Sequence, residues 1–331
     1  MNITDACFSD ADKARVYLES LRWPGGPVCP HCGSQKATSL EGLKHRPGVY
    51  QCNEAECREQ FTVTVGTVME RSKIPLNKWL YAIHEMGASK KGKSAHQMHR
   101  ELGITYQSAW FMCHRIREAM RDDSPSMMGG GGKVVEADET YYGRSKQKHP
   151  LSRNRKPTYT KKGWKDKGSA RPIVALVERG GSVRSFHIGH ATQAQVEKIV
   201  TENVAKESRL HTDESRLYTR IGAEFAGHET VKHSAKEYVI YNHTFDENRK
   251  LHTEVITTNT IEGYFSIFKR GMKGVYQHCD EKHLHRYLSE FDFRYNSRTA
   301  LGVTDTERAG RIVRGAEGKR LTYRRPDGTS L

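Results

Sequence analysis

Four of the seven cysteines lie in two closely spaced pairs, an arrangement typical of metal binding. Two residues separate Cys29 from Cys32, four separate Cys52 from Cys57, and nineteen lie between the pairs. Paired thiolates at this spacing favour a tetrahedral Zn²⁺ site, and the first pair has the Cys-Pro-x-Cys-Gly sequence of a zinc knuckle. Because all four ligands would be thiolates, we expect the zinc to be structural.

Three carboxylates in the second half of the chain have positions from which an α/β fold can bring them together. Asp138 ends an apolar stretch that we interpret as a strand, Asp213 ends a second short one, and Glu262 opens a helix. Acids at strand ends point into the crevice where such folds bind ligands. Carboxylate oxygens suit Mg²⁺ or Mn²⁺, and two such ions would neutralise three carboxylates and one phosphodiester. The pattern predicts two-metal displacement at phosphorus.

Each of these acids also has a structural interpretation. The first aspartate could cap a turn, and its neighbours Glu136 and Glu139 could be the metal ligand in its place; Glu136 shares its strand face. Asp213 could cap the segment that follows it. Asn259 with Glu262 three residues later matches a capping box, so local structure alone could explain that glutamate.

The helix that follows Glu262 separates apolar from charged residues. Its apolar stripe leaves Glu262, Lys269 and Lys273 on a different face, with Lys269 two turns, or about 10 Å, from the glutamate. A lysine there would bind a phosphate next to the metal site. Lys269 and Lys273 on this face, and Arg270 beside them, are therefore our candidates for contacts with the phosphates of a nucleic acid.

The overall charge favours a polyanionic partner. The 331 residues include 54 Lys or Arg and 39 Asp or Glu, a formal net charge of +15, and nucleic acid is the partner this predicts, although charge also aids solubility. Residues 144–171 carry eleven Lys or Arg and one acid, which favours a polyanion-binding arm over a plain flexible loop. With no apolar run of roughly 18 residues and no signal sequence, we expect a cytoplasmic protein with no membrane partner.

Two short helices around Gly103 have the layout of a helix-turn-helix. Ser94 would cap the first helix and Thr105 the second. The second helix would expose Arg115 and Arg117 together with Gln107, so both arginines are candidate DNA contacts. A plain helical hairpin is the alternative, because the pattern carries little information by itself.

After four glycines at 129–132 the pattern changes to strands. Strands are predicted at 133–138, 173–178, 183–188 and 210–213, with helices from Thr192, at 259–273 and at 281–297. This order predicts an α/β domain with a mixed sheet and flanking helices. The predicted division is an N-terminal helix and zinc ribbon (1–66), a helical DNA-binding region (67–122), a Gly-rich linker (123–132), a catalytic domain (133–298) and a basic C-terminal tail (299–331).

The chain resembles the DDE transposases of bacterial insertion sequences that carry an N-terminal zinc ribbon. The resemblance runs from the CPxCG knuckle through EADETYYG, HTDE and VKHSAKEYV to NTIEGYFSIFKRGMKGVYQH and HLHRYLSEFDFRYNSR. It implies an RNase H-like catalytic domain and a metal-binding triad matching Asp138, Asp213 and Glu262, followed by Lys269. Two further matches are Asn259, which competes with Glu262 as third ligand, and His233, which we expect near the metal.

The resemblance also implies an activity and partners. A transposase binds the double-stranded ends of its element, cleaves strands with Mg²⁺ and transfers a 3′-hydroxyl into target DNA, as a homo-oligomer on DNA in the nucleoid. Two alternatives remain. His283 and Arg286 with the later Tyr323 are the residue types of a tyrosine recombinase, which needs no metal. A zinc-ribbon regulator would bind DNA without catalysis.

Overall fold

The computed structural model describes residues 4–42, 45–144, 170–245 and 249–322. The chain forms two compact units, one comprising Met1–Asp122 with Ser297–Leu331 and the other Asp123–Asn296. Most of the basic stretch, at 145–169, lies outside the described residues, as do Tyr323 and the end of the basic tail. In the described part of the chain, no helix has the length and apolar character needed to cross a membrane.

The first unit begins with the predicted helix and ribbon. Helix α1 (Ala11–Arg22) is capped by Asp10, whose carboxylate accepts hydrogen bonds from the two backbone N–H groups of Asp12 and Lys13. Three short antiparallel strands follow in the order β1 (Ala37–Ser39), β2 (Tyr50–Cys52) and β3 (Gln60–Phe61). A buried Trp23 packs edge-on against the rings of Tyr50 and Phe61, which gives this small sheet an apolar core.

Three helices complete the N-terminal part of this unit: α2 (Leu76–Ala88), α3 (Ala95–Leu102) and α4 (Tyr106–Ala119). The predicted caps are confirmed, since the hydroxyls of Ser94 and Thr105 accept hydrogen bonds from the backbone N–H groups of Gln97 and Ser108. Gly103 joins α3 to α4 with φ of +58°, a left-handed conformation that favours glycine.

The prediction that α4 exposes both of its arginines is wrong. Arg117 is only 2% exposed, and Arg115 is half-buried and donates hydrogen bonds to the carbonyl oxygens of Glu70 and Leu321. The C-terminal chain reaches α4 at Arg115, because Leu321 supplies one of the two carbonyl oxygens that this arginine binds. Gln107, at the start of α4, is exposed as predicted.

The residues from 299 onward, which the sequence suggested were a tail, fold onto the first unit as far as they are described. Helix α8 (Asp305–Arg314) packs against α1, α2 and α4, with Ile312 and Val313 buried. At its end Gly315 lies so close to α4 that a Cβ atom there would approach the Ala119 carbonyl oxygen to 2.4 Å. Only glycine permits this contact.

The second unit is built on a five-stranded sheet with the order β6-β5-β4-β7-β8. Strands β4, β5 and β6 are antiparallel, whereas β7 is parallel to β4 and β8 to β7. This order and these directions define the RNase H-like fold, as expected. The elements, including a helix between β6 and β7, are β4 (Val134–Arg144), β5 (Ala170–Glu178), β6 (Val183–His187), α5 (Gln193–Asn203), β7 (Arg209–Asp213) and β8 (Gly227–Val231).

Helices cover both faces of this sheet, so β5 is buried on both sides. Val174 and Leu176 of β5 pack with α5 on one face, and Ile173 and Val177 pack on the other face with two C-terminal helices. The remaining elements are the hairpin β9 (Val239–Phe245) and β10 (Leu251–Thr257), the helix α6 (Asn259–Gly271), a π-helical turn at Met272–Tyr276 and the helix α7 (Leu284–Asn296). The two predicted C-terminal helices are therefore confirmed.

Two details of the second unit differ from the sequence-based expectations. Asp138 does not end its strand, because β4 continues to Arg144 in antiparallel pairing with β5; pairing with β7 stops earlier, at Glu136. The glycine run is also more ordered than a linker, since the backbone N–H groups of Gly129 and Gly130 donate to the side chains of Glu178 and Ser208. These two hydrogen bonds hold the segment against the sheet.

Candidate active site and zinc ribbon

The four ribbon cysteines converge as a metal site requires. The Sγ atoms of Cys29 and Cys57 are 3.8 Å apart, those of Cys32 and Cys52 are 3.6 Å apart, and all four lie within 4.8 Å of one another. A tetrahedron with Zn–S bonds of about 2.3 Å has S···S edges of about 3.8 Å. The donor set and its spacing therefore fit Zn²⁺.

We expect purified protein to contain one tightly bound zinc per chain, measured by atomic emission. Cys52→Ser should lose the zinc and destabilise the first unit, because structural zinc supplies folding free energy. Cys279→Ser is the matched control, since Cys279 lies in the other unit and outside the cluster. Zinc-free wild-type protein with an unchanged fold would contradict the assignment.

Three acids in the second unit form a tight group at the sheet. Asp138 and Glu139 project from β4, Asp213 is the last residue of β7, and their carboxylate oxygens lie within 4.8 Å of one another. The parallel pairing of β4 with β7 ends just before these residues, which brings their side chains to the same edge. The Asp213 carboxylate accepts a hydrogen bond of 2.9 Å from the backbone N–H of Ser215, which holds its orientation.

Glu262 approaches this group from the first turn of α6. It lines one pocket together with Asp138 and Glu139, and its side chain is 42% exposed. The Nε2 atom of His233 lies 3.5 Å from Glu262 Oε1, so the structure brings the predicted histidine to the predicted glutamate. Asn259 is exposed at the first position of α6.

The capping-box interpretation of Glu262 is wrong. Helix α6 has Thr258 as its N-cap, and that residue makes no side-chain cap. The cap comes instead from Glu136, whose carboxylate accepts hydrogen bonds from the Ile261 N–H at 3.0 Å and the Thr260 hydroxyl at 2.8 Å. A carboxylate at this end of a helix also interacts favourably with the helix dipole.

Glu136 is therefore a structural residue and not an alternative metal ligand. It is fully buried, and its Oε1 atom pairs with the Arg179 guanidinium at 2.9 Å. Arg179 also donates to the carbonyl oxygens of Val255 and Thr257 just before α6. Through Glu136, the strand that carries Asp138 is tied directly to the helix that carries Glu262.

Basic residues line the same pocket as these acids. Lys269, Arg270 and Lys273 line it, at successive positions along α6 and the π-helical turn. One pocket thus joins carboxylates, which attract a cation, to positive side chains, which attract a phosphate. The three basic residues predicted from the helix pattern are brought together here, whereas Arg115 and Arg117 belong to the other unit.

Burial and mutual repulsion make the acidic group unfavourable without a cation. Burial, followed by the nearby charges of Asp213 and Glu139, raises the pKa of Asp138 to about 8. Burial and the charge of Asp213 also raise the pKa of Glu139. Both raised pKa values mean that the ionised carboxylates are disfavoured in the folded protein. A bound divalent cation would stabilise the ionised forms and lower these pKa values again. Hard oxygen donors with this need for positive charge fit Mg²⁺ or Mn²⁺.

The second unit should lose stability as pH rises in buffer without magnesium. Between about pH 4, where an unfolded aspartate titrates, and about pH 8, the folded state holds the Asp138 proton more tightly, so unfolding becomes easier as pH increases. Removing the charge with Asp138→Asn should raise the Tm of zinc-loaded protein at pH 8 by at least ~3 °C. Differential scanning calorimetry measures this. Exposed Glu207, as Glu207→Gln, is the control; a Tm of Asp138→Asn equal to wild type contradicts the repulsion.

An RNase H-like domain with clustered carboxylates, preceded by a four-cysteine ribbon, defines the DDE transposase class. The comparisons with known proteins agree. The family model described as the ISXO2-like transposase domain matches residues 129–296, and the transposase zinc-ribbon domain matches residues 9–60. The chain belongs to the IS1595 family of insertion-sequence transposases.

Relatives are distant in sequence. A protein of Halobacterium salinarum, named "Uncharacterized protein in transposable element ISH50", is 24% identical over 291 residues, which are 87% of this chain and 91% of that protein. A chain in a solved structure of the simian T-cell lymphotropic virus intasome with the PP2A regulatory subunit B56 gamma matches at 13% identity and a TM-score of 0.27. That match covers 59% of this chain and 63% of the other.

Proposed function

We propose that this transposase binds the double-stranded DNA ends of its element and uses divalent metal ions to cleave them and to join the freed 3′-hydroxyl to target DNA. The observation that carries the proposal is the single pocket shared by Asp138, Glu262 and Lys269, with Asp213 in the same acidic group as Asp138. This pocket combines the ligands for a cation with a contact for a phosphate.

Two Mg²⁺ or Mn²⁺ ions would be held by Asp138, Asp213 and Glu262, with Asn259 as the alternative third ligand on the same helical turn. Bound there, the ions would supply Lewis-acid stabilisation of the charge that develops at phosphorus. His233 orients Glu262 through its Nε2 atom, 3.5 Å from the carboxylate. The carboxylates would position the scissile phosphodiester indirectly, by holding in place the positive ions that bind it.

Both chemical steps are in-line displacements. In the first, water attacks phosphorus, the bond from phosphorus to the 3′ oxygen breaks, and that oxygen leaves as a 3′-hydroxyl. In the second, the 3′-hydroxyl attacks a target phosphodiester, the bond from that phosphorus to the target's own 3′ oxygen breaks, and this oxygen leaves as a new 3′-hydroxyl. One phosphodiester thus replaces another without a covalent protein–DNA bond. Lys269, Arg270 and Lys273 bind the backbone next to the scissile position and resist displacement of the strand during the attack.

The first unit is the proposed reader of the element ends. The N-terminal residues of a recognition helix reach base edges, and in α4 these are Tyr106 and Gln107, which are exposed. Tyr106 stacks on His96 of α3 with ring centroids 4.2 Å apart, which holds the tyrosine in place. Because Arg115 and Arg117 are engaged inside the unit, we do not propose them as DNA contacts.

The same proposal covers assembly and location. An element has two ends, so two copies of the chain joined on DNA would cut both, and this takes place in the nucleoid. The DNA-binding unit would comprise residues 1–122 together with the described C-terminal residues from 297, and the catalytic unit residues 123–296. The tyrosine-recombinase alternative has less support, because His283 is 7% exposed and its Nδ1 atom contacts Arg286 at 3.0 Å.

We expect Asp138→Asn and Asp213→Asn each to reduce cleavage of element-end DNA by at least about 10³-fold in Mg²⁺, because loss of a ligand disables the metal site. DNA affinity should stay within about threefold, since the positive charge that binds the phosphates is elsewhere. A gel-based cleavage assay with the full chain, and a parallel binding assay, measure both effects.

Further variants in this assay identify the third ligand. Glu262→Gln should abolish cleavage and Asn259→Ala should do less; the reverse result makes Asn259 the third ligand. Glu207→Gln, in the same unit and exposed, should cleave normally. Normal cleavage by Asp138→Asn, or cleavage in EDTA with protein covalently joined to DNA, contradicts the proposed mechanism.

A further inference from the structure

Glu139 is a fourth carboxylate in the site, and it is closer to the two aspartates than Glu262 is. Its oxygen lies within 4.8 Å of oxygens of both Asp138 and Asp213, whereas Glu262 does not belong to that group. The three grouped side chains are half-buried on the sheet, and Glu262 is more exposed on α6. The tightest set of hard oxygen donors in the described residues therefore includes Glu139.

Hydrogen bonds direct the Glu139 carboxylate toward the aspartates. The Ser215 hydroxyl donates to Oε1 at 3.3 Å, and the Tyr218 hydroxyl donates to Oε2 at 3.0 Å. Tyr218 is fully buried, so its hydroxyl is a fixed donor. Each carboxylate oxygen keeps a lone pair, and neutral donors behind a carboxylate are the usual outer partners of a metal ligand.

Ser215 links this carboxylate to its neighbour. Its backbone N–H donates to Asp213 Oδ1 while its hydroxyl donates to Glu139 Oε1. A single residue, Ser215 in the segment that follows β7, thus sets the orientation of two acids on different strands. A shared partner of this kind keeps both carboxylates at the separation needed to bind one ion.

Glu139 also differs from its neighbour Glu136 in how its charge is compensated. Glu136 pairs with Arg179, so the chain itself compensates its charge. Among the ion pairs of the described residues, none includes Glu139, Asp138 or Asp213. Within the described ranges, the charge of these three acids is thus not paired with a basic side chain, and a bound cation could neutralise it.

We infer that Glu139 is a metal ligand, and that Asp138, Glu139 and Asp213 bind one divalent cation before DNA arrives and without Glu262. The inference rests on the proposed metal-dependent function, which needs the two aspartates but not Glu139. Glu262 would then be a ligand of the second ion, and the phosphodiester would complete the coordination of that ion when it enters the pocket. This order explains why α6 can present a more exposed carboxylate.

The test is Mn²⁺ binding by zinc-loaded full-length protein without DNA, measured by electron paramagnetic resonance of free Mn²⁺. Wild type should bind one ion tightly. Glu139→Gln should weaken this binding by about 100-fold and Tyr218→Phe by about tenfold, the range for loss of a ligand or its outer partner. Glu262→Gln should bind within about twofold of wild type, as should the exposed control Glu207→Gln. Circular dichroism checks that each variant is folded.

Three results overturn the inference. If Asp138→Asn and Asp213→Asn lose the ion while Glu139→Gln binds as wild type does, Glu139 is no ligand and the proposed function stands. If Glu262→Gln loses the ion as completely as the aspartate variants, the site is not formed without Glu262. If wild type binds no Mn²⁺, or if no aspartate variant affects binding, the metal site itself is wrong and the proposed function fails with it.

Discussion

Repulsion between carboxylates is the constraint that the second unit has to satisfy. Oxygens of Asp138, Glu139 and Asp213 lie within 4.8 Å of one another, and burial strengthens their repulsion. On flexible loops such side chains would move apart, so their backbones need a rigid support. Strand β4 provides it from the centre of the sheet, since its backbone pairs with β5 on one side and with β7 on the other. Moving an acid would require breaking these ladders of hydrogen bonds.

The same constraint explains how α6 is attached. Helix α6 carries Glu262 and the basic side of the pocket, so its position sets the distance between the acids and the phosphate contacts. Glu136, in β4, fixes that position by capping the helix while it pairs with Arg179, which directly follows β5. The acids of β4 thus differ in whether a basic side chain pairs with them. Glu136 pairs with Arg179 and holds the structure together, whereas Asp138 lines the pocket and has no ion pair with any residue that the structure describes.

Local signals in the sequence predicted most of the elements, and contacts across the chain account for what it missed. Cysteine spacing found the ribbon, and Ser94 and Thr105 were correct caps, because both patterns act within a few residues. Periodicity could not tell that Arg115 is engaged inside the unit, since Leu321, whose carbonyl oxygen accepts one of its hydrogen bonds, lies 206 positions later in the chain. Alternation also placed Glu136 on the strand face of Asp138, yet it is Glu139 whose carboxylate lies with those of Asp138 and Asp213.

Three separate chain segments surround the pocket in which we propose that divalent cations bind, and iron-directed cleavage tests this arrangement most directly. Fe²⁺ bound in place of Mg²⁺, with ascorbate and peroxide, generates hydroxyl radicals that cut the nearby backbone. We expect fragments of the full chain that end close to residues 138, 213 and 262, suppressed by excess Mg²⁺ and absent from Asp138→Asn. Cuts at only one of these segments, or an unchanged pattern in Asp138→Asn, would contradict it.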